Sequence, residues 1–238
     1  CNIPSWQKKN NEDKNMNQIT QAISFARDNF FYLFALCIPV LVLEGALATI
    51  ITPLGNVTQV EDIQDFMELN AALVGLLSLA LILVSITFIG ALVSGYESIN
   101  LSVNRTTFDL YSAGFRKFFI LLGANILFVL AIMLGFIMLV LPAFYLMGRL
   151  SLFPSLIMFE NEGVTKSLGR SWEMTDEYGG KLFGITLFFW GGTLITSLIV
   201  GALIPESTMQ IFILLVIEYA IIIPWMYVYY SLYKSLSN

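Results

Sequence analysis

Three charged residues, Glu44, Arg149 and Glu218, interrupt long apolar stretches of the sequence. A charge inside a hydrocarbon environment is costly, so it normally faces the interior of a helix bundle and has a partner there. Two kinds of chemistry fit these residues: a structural ion pair between helices, or a polar pathway or head-group site at mid-membrane. Snorkelling is disfavoured for Arg149, which is far from both ends of its apolar stretch. We expect Arg149 to pair with Glu218 or, less favourably, with Glu44.

Two further cations, Lys166 and Arg170, belong to a polar segment of the chain. In the same segment Val164, Leu168 and Trp172 recur at helical spacing, which predicts an amphipathic helix in the membrane interface. We expect Lys166 and Arg170 to contact anionic lipid head groups, while the apolar side chains enter the acyl boundary.

Groups that commonly carry catalysis or bind metals are scarce. The chain has no histidine, which is the commonest general base and metal ligand, and its two cysteines, Cys1 and Cys37, share no motif spacing. The sequence contains no nucleophile elbow, phosphate-binding glycine loop or paired metal motif. We therefore predict no catalytic residue, no metal site and no cofactor.

The composition is that of a membrane protein. Hydrophobic residues make up 57% of the 238 residues and charged residues only 12%, whereas a soluble domain has roughly 25% charged residues. The net charge of −5 argues against nucleic acid as a partner, because phosphate binding needs a concentrated basic face. Membrane lipids are the partners that this composition predicts.

The apolar blocks lie at 31–52, 70–95, 118–159, 182–203 and 208–232. A transmembrane helix needs about 20 residues. As a single helix, 118–159 would be about 63 Å long, so it must fold back. Gly135 and Pro142 bracket the expected turn, with Pro142 in the first turn of the second helix. The sequence thus predicts an all-α polytopic transmembrane helix bundle with six spans, at 31–52, 70–95, 118–136, 140–159, 182–203 and 208–232.

The basic residues indicate the topology. Eleven of the twelve Lys and Arg residues lie within 1–30, 96–117, 160–181 and 234–238, and the polar gaps at 53–69 and 204–207 contain none. Cationic loops are retained in the cytoplasm, so six spans with both termini cytoplasmic fit this alternation. A single crossing of 118–159 would break it.

A threefold repeat is suggested by short apolar stripes that precede the odd-numbered spans. The stripes consist of Ile19, Ile23, Ala26 and Phe30; of Phe108, Tyr111 and Phe115; and of Val164, Leu168 and Trp172. Each is followed by a similar aromatic-rich beginning of a span. The pattern predicts three units, each a short interfacial helix followed by a transmembrane hairpin, although such stripes also arise by chance.

Residues 1–15 are polar and poor in apolar side chains. We predict that they are a disordered leader outside the native domain, which would then run over 16–238 from Met16. The alternative, a lipid-modified Cys1, lacks a signal segment to support it.

The sequence resembles a known family in its second half and at its start. The resemblance rests on Leu141–Tyr145, Arg149–Pro154, Ser167–Thr175, Met16–Thr20 and Arg27–Phe31. These stretches are similar to the YciC family of bacterial inner-membrane proteins and, more distantly, to the membrane domain attached to some glycerophosphodiester phosphodiesterases. The resemblance covers about 16–238 and implies a six-span inner-membrane protein of Gram-negative bacteria. It supplies no catalytic residues, because the family has no assigned reaction.

Two classes of function remain. The scarcity of catalytic groups favours a non-enzymatic membrane protein that binds or moves lipid or small solutes, or supports a membrane complex. The alternative is a membrane-embedded lipid-modifying enzyme, which would need polar residues gathered at one depth near the interface. The charges inside the spans are too few and too deep for such an enzyme. Whether Glu44, Arg149 and Glu218 line an open cavity or a sealed contact discriminates between the two classes of function.

Overall fold

The computed structural model describes residues 18–56 and 60–237, so the predicted leader at 1–15 lies outside it. Ten α-helices make up most of the described residues, and no strand occurs among them. The helices are α1 (18–28), α2 (Phe30–Ile51), α3 (Val60–Asn100), α4 (Thr107–Arg116), α5 (Phe118–Met138), α6 (Val140–Leu150), α7 (Phe153–Glu160), α8 (Val164–Met174), α9 (Gly179–Leu203) and α10 (Thr208–Leu236). Short 3-10 turns occupy Thr52–Asn56 and Asp176–Tyr178.

Six helical stretches of the described chain are long and apolar enough to cross a membrane. They are Phe30–Leu54, Glu68–Asn100, Phe118–Met138, Val140–Glu160, Asp176–Leu203 and Thr208–Leu236. The predicted fold class is therefore confirmed, and the chain is an all-α, multi-pass membrane protein. Long apolar runs favour this fold because backbone polar groups inside a bilayer must be hydrogen-bonded within the protein, and a helix achieves this within one segment.

The turn predicted inside the longest apolar block is present. Leu139 adopts an extended conformation, with φ −171° and ψ 155°, and separates α5 from α6. Gly135 lets the two helices meet closely: a β-carbon there would be 2.8 Å from the Cα atom of Ala143. Pro142 lies in the first turn of α6, where its missing N–H leaves no helical hydrogen bond unmade.

The element order shows the three predicted units. A short helix precedes a long hairpin in α1–α2–α3, in α4–α5–α6/α7 and in α8–α9–α10. The hairpins turn at Thr52–Asn56, at Leu139 and at Ile204–Ser207, which we call the hairpin end of the bundle. The opposite end, next to α1, α4 and α8, is called the basic end.

The fourth span differs from the other five because it is broken. α6 ends at Leu150 and α7 begins at Phe153, with a turn at Ser151 and Leu152. This span is also the most enclosed. Of its 18 most apolar consecutive residues 67% are buried, against 17–28% in the other spans. It therefore forms the centre of the bundle, and its break is surrounded by protein.

The contact between α3 and α4 depends on glycine. A β-carbon on Gly114 would be 2.3 Å from the carbonyl oxygen of Thr87, and one on Gly90 would be 2.8 Å from the Cα atom of Gly114. The two backbones thus touch directly, which is a common way for helices to pack in membranes.

Candidate functional site

Arg149 lies at the last turn of α6 and is almost fully enclosed, with a relative exposure of 2%. Its guanidinium donates four hydrogen bonds, all to side chains or carbonyls close to the break in the fourth span. The acceptors are Thr175 Oγ1 (3.0 Å), Tyr145 Oη (2.8 Å), the Trp172 carbonyl (2.6 Å) and Asp176 Oδ1 (3.0 Å). Because a guanidinium has five N–H groups, this environment satisfies nearly all of its donors.

Aromatic rings complete the enclosure of Arg149. Its guanidinium carbon lies 4.0 Å from the ring centroid of Trp172 and 5.6 Å from that of Tyr145, both within the range of cation–π attraction. The ion pair with Asp176 adds little, since the Asp176 side chain is 79% exposed. Hydrogen bonds and ring contacts are therefore the main source of stability at Arg149.

Side chains next to Arg149 also bond backbone groups at the break in the fourth span. Ser171 Oγ donates to the Arg149 carbonyl at 2.8 Å and accepts from the Leu152 amide at 3.1 Å. Thr175 Oγ1 also lies 2.9 Å from the Arg149 carbonyl. Two hydroxyls of the third unit thus bond the backbone groups that the break leaves without helical partners. Arg149 belongs to a sealed structural joint.

The predicted pairing of Arg149 with Glu218 or Glu44 is wrong. It assumed one continuous fourth helix with Arg149 at mid-depth. In the structure Arg149 is at the end of α6, where the preceding Gly148 packs on Leu182 near the start of α9. The last turn of α8 and the residues just after it supply three partners of the guanidinium, which are Trp172, Thr175 and Asp176.

Glu44 and Glu218 lie together elsewhere, across the contact between α2 and α10. The phenol of Tyr219 donates to Glu44 Oε2 at 2.7 Å, and Glu218 is close enough to Glu44 to be repelled by its charge. No described ion pair includes either carboxylate. Glu97, by contrast, is 3.1 Å from the ammonium of Lys234.

Glu44 also lines an open cavity of about 620 Å³ near the hairpin end. The other lining residues are apolar or hydroxylic: Leu47, Ala48, Ile51, Thr52, Leu54 and Leu81. Glu44 stands 14 residues after the start of α2, which places it about 21 Å along that helix. A carboxylate in such walls is the polar group that would orient a bound molecule.

Comparison of the chain with protein-family models, curated proteins and solved structures finds no match. The function is therefore inferred from the geometry around Glu44, Arg149 and Glu218.

Lys166 and Arg170, predicted to contact lipid head groups, have carboxylate partners in the structure. Lys166 Nζ lies 2.8 Å from Glu162, and Arg170 Nη1 bonds both Glu162, at 2.8 Å, and Glu160. The head-group contacts stay a prediction, and Lys166 is still 72% exposed. Their charges are nevertheless compensated within the protein, which weakens their attraction for an anionic surface.

The hydrogen bonds from Lys166 and Arg170 lower the pKa of the Glu162 carboxyl below its ordinary value of 4.5. Hydrogen bonds to Glu162 and Glu160 in turn raise the pKa of Arg170. A lowered carboxyl pKa stabilises the fold at pH values above 4.5, and this contribution is lost as the pH falls through the lowered value. The ion pairs of Lys166 and Arg170 with Glu160 and Glu162 thus hold α8 against the end of α7 at neutral pH.

The apolar stripe of α8 packs partly on protein. A β-carbon added to Gly123 of α5 would be 3.0 Å from Val164, and Leu168 packs against the same cluster of buried residues. Trp172 is 39% exposed and covers Arg149. The stripe was expected to enter the acyl boundary, and this packing shows that α8 is a part of the bundle.

Proposed function

We propose that this chain is a non-catalytic, multi-pass protein of the bacterial inner membrane that binds a small, positively charged solute at Glu44. The carrying observation is that Glu44 faces an open cavity while lacking a described cationic partner. A carboxylate in apolar surroundings must be protonated or matched by positive charge. Among the described residues its hydrogen-bond partner is the neutral phenol of Tyr219.

The chemistry of the solute follows from the cavity. Arg149 is enclosed by its own partners and does not supply the missing charge. An inorganic monovalent cation or a small organic ammonium ion carries the charge that Glu44 needs, and apolar walls favour a weakly hydrated one. Such a solute can be released if its binding affinity is low, as in channels and carriers.

The orientation in the membrane is also a proposal. Apart from Arg149 within the fourth span, the described Lys and Arg residues lie at or near the basic end. The turns at 52–56, 139 and 204–207 contain none. Placing the basic end in the cytoplasm obeys the positive-inside rule and puts both termini there. The resemblance to the YciC family supports the bacterial inner membrane.

Single cysteines test this orientation. In a background with Cys1→Ser and Cys37→Ala, Ser207→Cys should react with a membrane-impermeant maleimide on intact cells. Lys166→Cys should react only after the membrane is opened, because α8 lies at the basic end. Reaction of Lys166→Cys from outside would reverse the topology.

Carbodiimide labelling tests the solute site. Dicyclohexylcarbodiimide modifies carboxyl groups in apolar surroundings, and a cation bound to the carboxylate blocks the reaction. We expect mass spectrometry of the purified protein to find Glu44 modified in low salt. Adding sodium, potassium or ethylammonium chloride should reduce this modification severalfold for at least one of the three ions.

Two controls accompany this measurement. Glu97, which already has Lys234, reports the general effect of ionic strength. Glu218→Gln should weaken the protection at Glu44 without abolishing it, because Glu218 does not line the cavity but its charge acts on Glu44. Equal loss of labelling at Glu44 and Glu97 in every salt, or no protection at all, contradicts cation binding.

The alternative function is that of a membrane-embedded enzyme that modifies lipids. Among the described residues there is no group of three or more His, Cys, Asp or Glu side chains that could hold a metal ion. Hydrolysis of a phospholipid or glycerophosphodiester by the purified protein, abolished by one polar substitution, would favour the enzyme over the proposed binding protein.

A further inference from the structure

The short helix α4 differs from α1 and α8 in how its charges are matched. On α1, Arg27 pairs with Asp28, and the cations of α8 pair with Glu160 and Glu162. At the end of α4, Arg116 and Lys117 belong to no described ion pair, and Lys117 contacts the uncharged amide oxygen of Asn161. The carboxylate of α4 itself is engaged at the other end of the helix.

That carboxylate is Asp109, which forms a capping box with Thr106. The Asp109 amide donates to the Thr106 hydroxyl at 3.2 Å, and the Thr106 amide donates to the Asp109 carboxylate at 3.1 Å. The Thr106 hydroxyl also donates to the Asp109 carboxylate, at 2.7 Å. This bond and the one from the Thr106 amide lower the pKa of Asp109, which therefore stays ionised at the first turn of α4, far from Arg116. The positive charge at the junction of α4 and α5 is thus left uncompensated by the described residues.

Apolar surface adjoins this charge. Phe108 is 80% exposed, Phe115 56% and Phe119 83%, in a region where Phe118 begins a 21-residue apolar helix. Arg116 and Lys117 therefore stand immediately before the chain enters the membrane. Exposed aromatic side chains beside cations at such a position are typical of a surface that faces lipid.

A groove of about 280 Å³ runs beside these residues, between α3 and α4. Leu83, Val84 and Thr87 form its α3 wall, and Phe108, Tyr111 and Phe115 contribute to its α4 wall. The direct backbone contact at Gly114 fixes the separation of the two helices. The groove has the apolar lining that a hydrocarbon chain requires.

We propose that an anionic glycerophospholipid binds here, with its phosphate at Arg116 and Lys117 and an acyl chain in the groove between α3 and α4. Charge complementarity selects the head group, because the doublet has no described carboxylate to neutralise it. This site is separate from the cavity at Glu44, so either proposal can fail without the other.

Photo-crosslinking tests the site. Phosphatidylglycerol carrying a diazirine in its acyl chain should form adducts within 108–115 and 83–87 when added to the purified protein in zwitterionic micelles. Unlabelled phosphatidylglycerol should compete for these adducts, whereas phosphatidylethanolamine should not. The double variant Arg116→Gln/Lys117→Gln should raise the half-saturating concentration about 25-fold, taking about 5-fold for each charge.

Two variants separate this site from general attraction to the membrane. Lys166→Gln removes an exposed cation of the corresponding helix α8 and should leave the half-saturating concentration unchanged. Ser112 of α4 also lines the groove. Ser112→Trp therefore fills the groove with the charges intact and should suppress the adducts, in protein that still elutes as a single species. Adducts spread evenly over all six spans, equal competition by both lipids, or an equal loss in Lys166→Gln overturns the proposal.

Discussion

Replacing Arg149 with methionine should lower the free energy of unfolding by about 2–4 kcal/mol. The substitution removes four hydrogen bonds and the stacking on Trp172, and it leaves buried acceptors at the break without a donor. Relief of the cost of burying a charge offsets part of this loss. Unfolding by sodium dodecyl sulfate in mixed micelles measures the difference, and proteolysis at the link between α7 and α8 should speed up in parallel.

Asp176→Asn is the matched control. It removes the ion pair but keeps a hydrogen-bonding side chain, and Asp176 is 79% exposed, so we expect a loss below about 1 kcal/mol. Arg149→Lys should be intermediate, because an ammonium cannot reach all of the acceptors that the planar guanidinium bonds. If Asp176→Asn is as damaging as Arg149→Met, the ion pair and not the hydrogen-bonded joint stabilises the break.

The same substitution, glycine to alanine, should have opposite effects in α4 and α8. Gly114→Ala would place a methyl group 2.3 Å from the Thr87 carbonyl oxygen, and neither backbone can swing away. Only a shift of the whole helix α4 relieves this overlap, so we expect a loss of about 1–3 kcal/mol. At Gly169 a β-carbon meets nothing within 4 Å. There alanine should stabilise the helix by about 0.5–1 kcal/mol, because glycine is a poor helix former.

Thermal unfolding in detergent, monitored by circular dichroism, measures both glycine variants under one condition. Gly114→Ala should also weaken phosphatidylglycerol crosslinking in the groove, since the groove depends on the distance between α3 and α4. A stable Gly114→Ala protein would mean that the two helices can separate without loss, contrary to the close contact described.

The spans and their repeat were predictable because their signals are local. An apolar run near the length of a bilayer crossing has few alternatives to a helix, and Gly135 with Pro142 marks the turn between the third and fourth spans. The break at Ser151 and Leu152 was not predicted, since neither residue forbids a helix. The break is stabilised from another part of the chain, because the Ser171 hydroxyl of α8 bonds the backbone of Arg149 and of Leu152.

The partners of the charged residues were harder to predict, for two different reasons. Arg149 bonds Asp176, which lies 27 residues further along the chain. The two residues meet because α8 packs back against the fourth span, and no local sequence pattern indicates this packing. Glu162 and Lys166, however, are four residues apart in sequence, a spacing that favours ion pairs in or next to helices. That signal was readable and would have identified Lys166 as a compensated cation.

The joint at Arg149 has a consequence for biogenesis. During synthesis the fourth span emerges before its partners, because Trp172, Thr175 and Asp176 follow Arg149 by 23, 26 and 27 residues. It is also the least apolar span, with a mean hydropathy of 1.4 against 1.8 to 2.7 for the others. The segment least suited to enter the bilayer alone is thus completed by the residues translated next. We therefore expect stable insertion of the second hairpin to depend on synthesis of the start of the third, which supplies these partners.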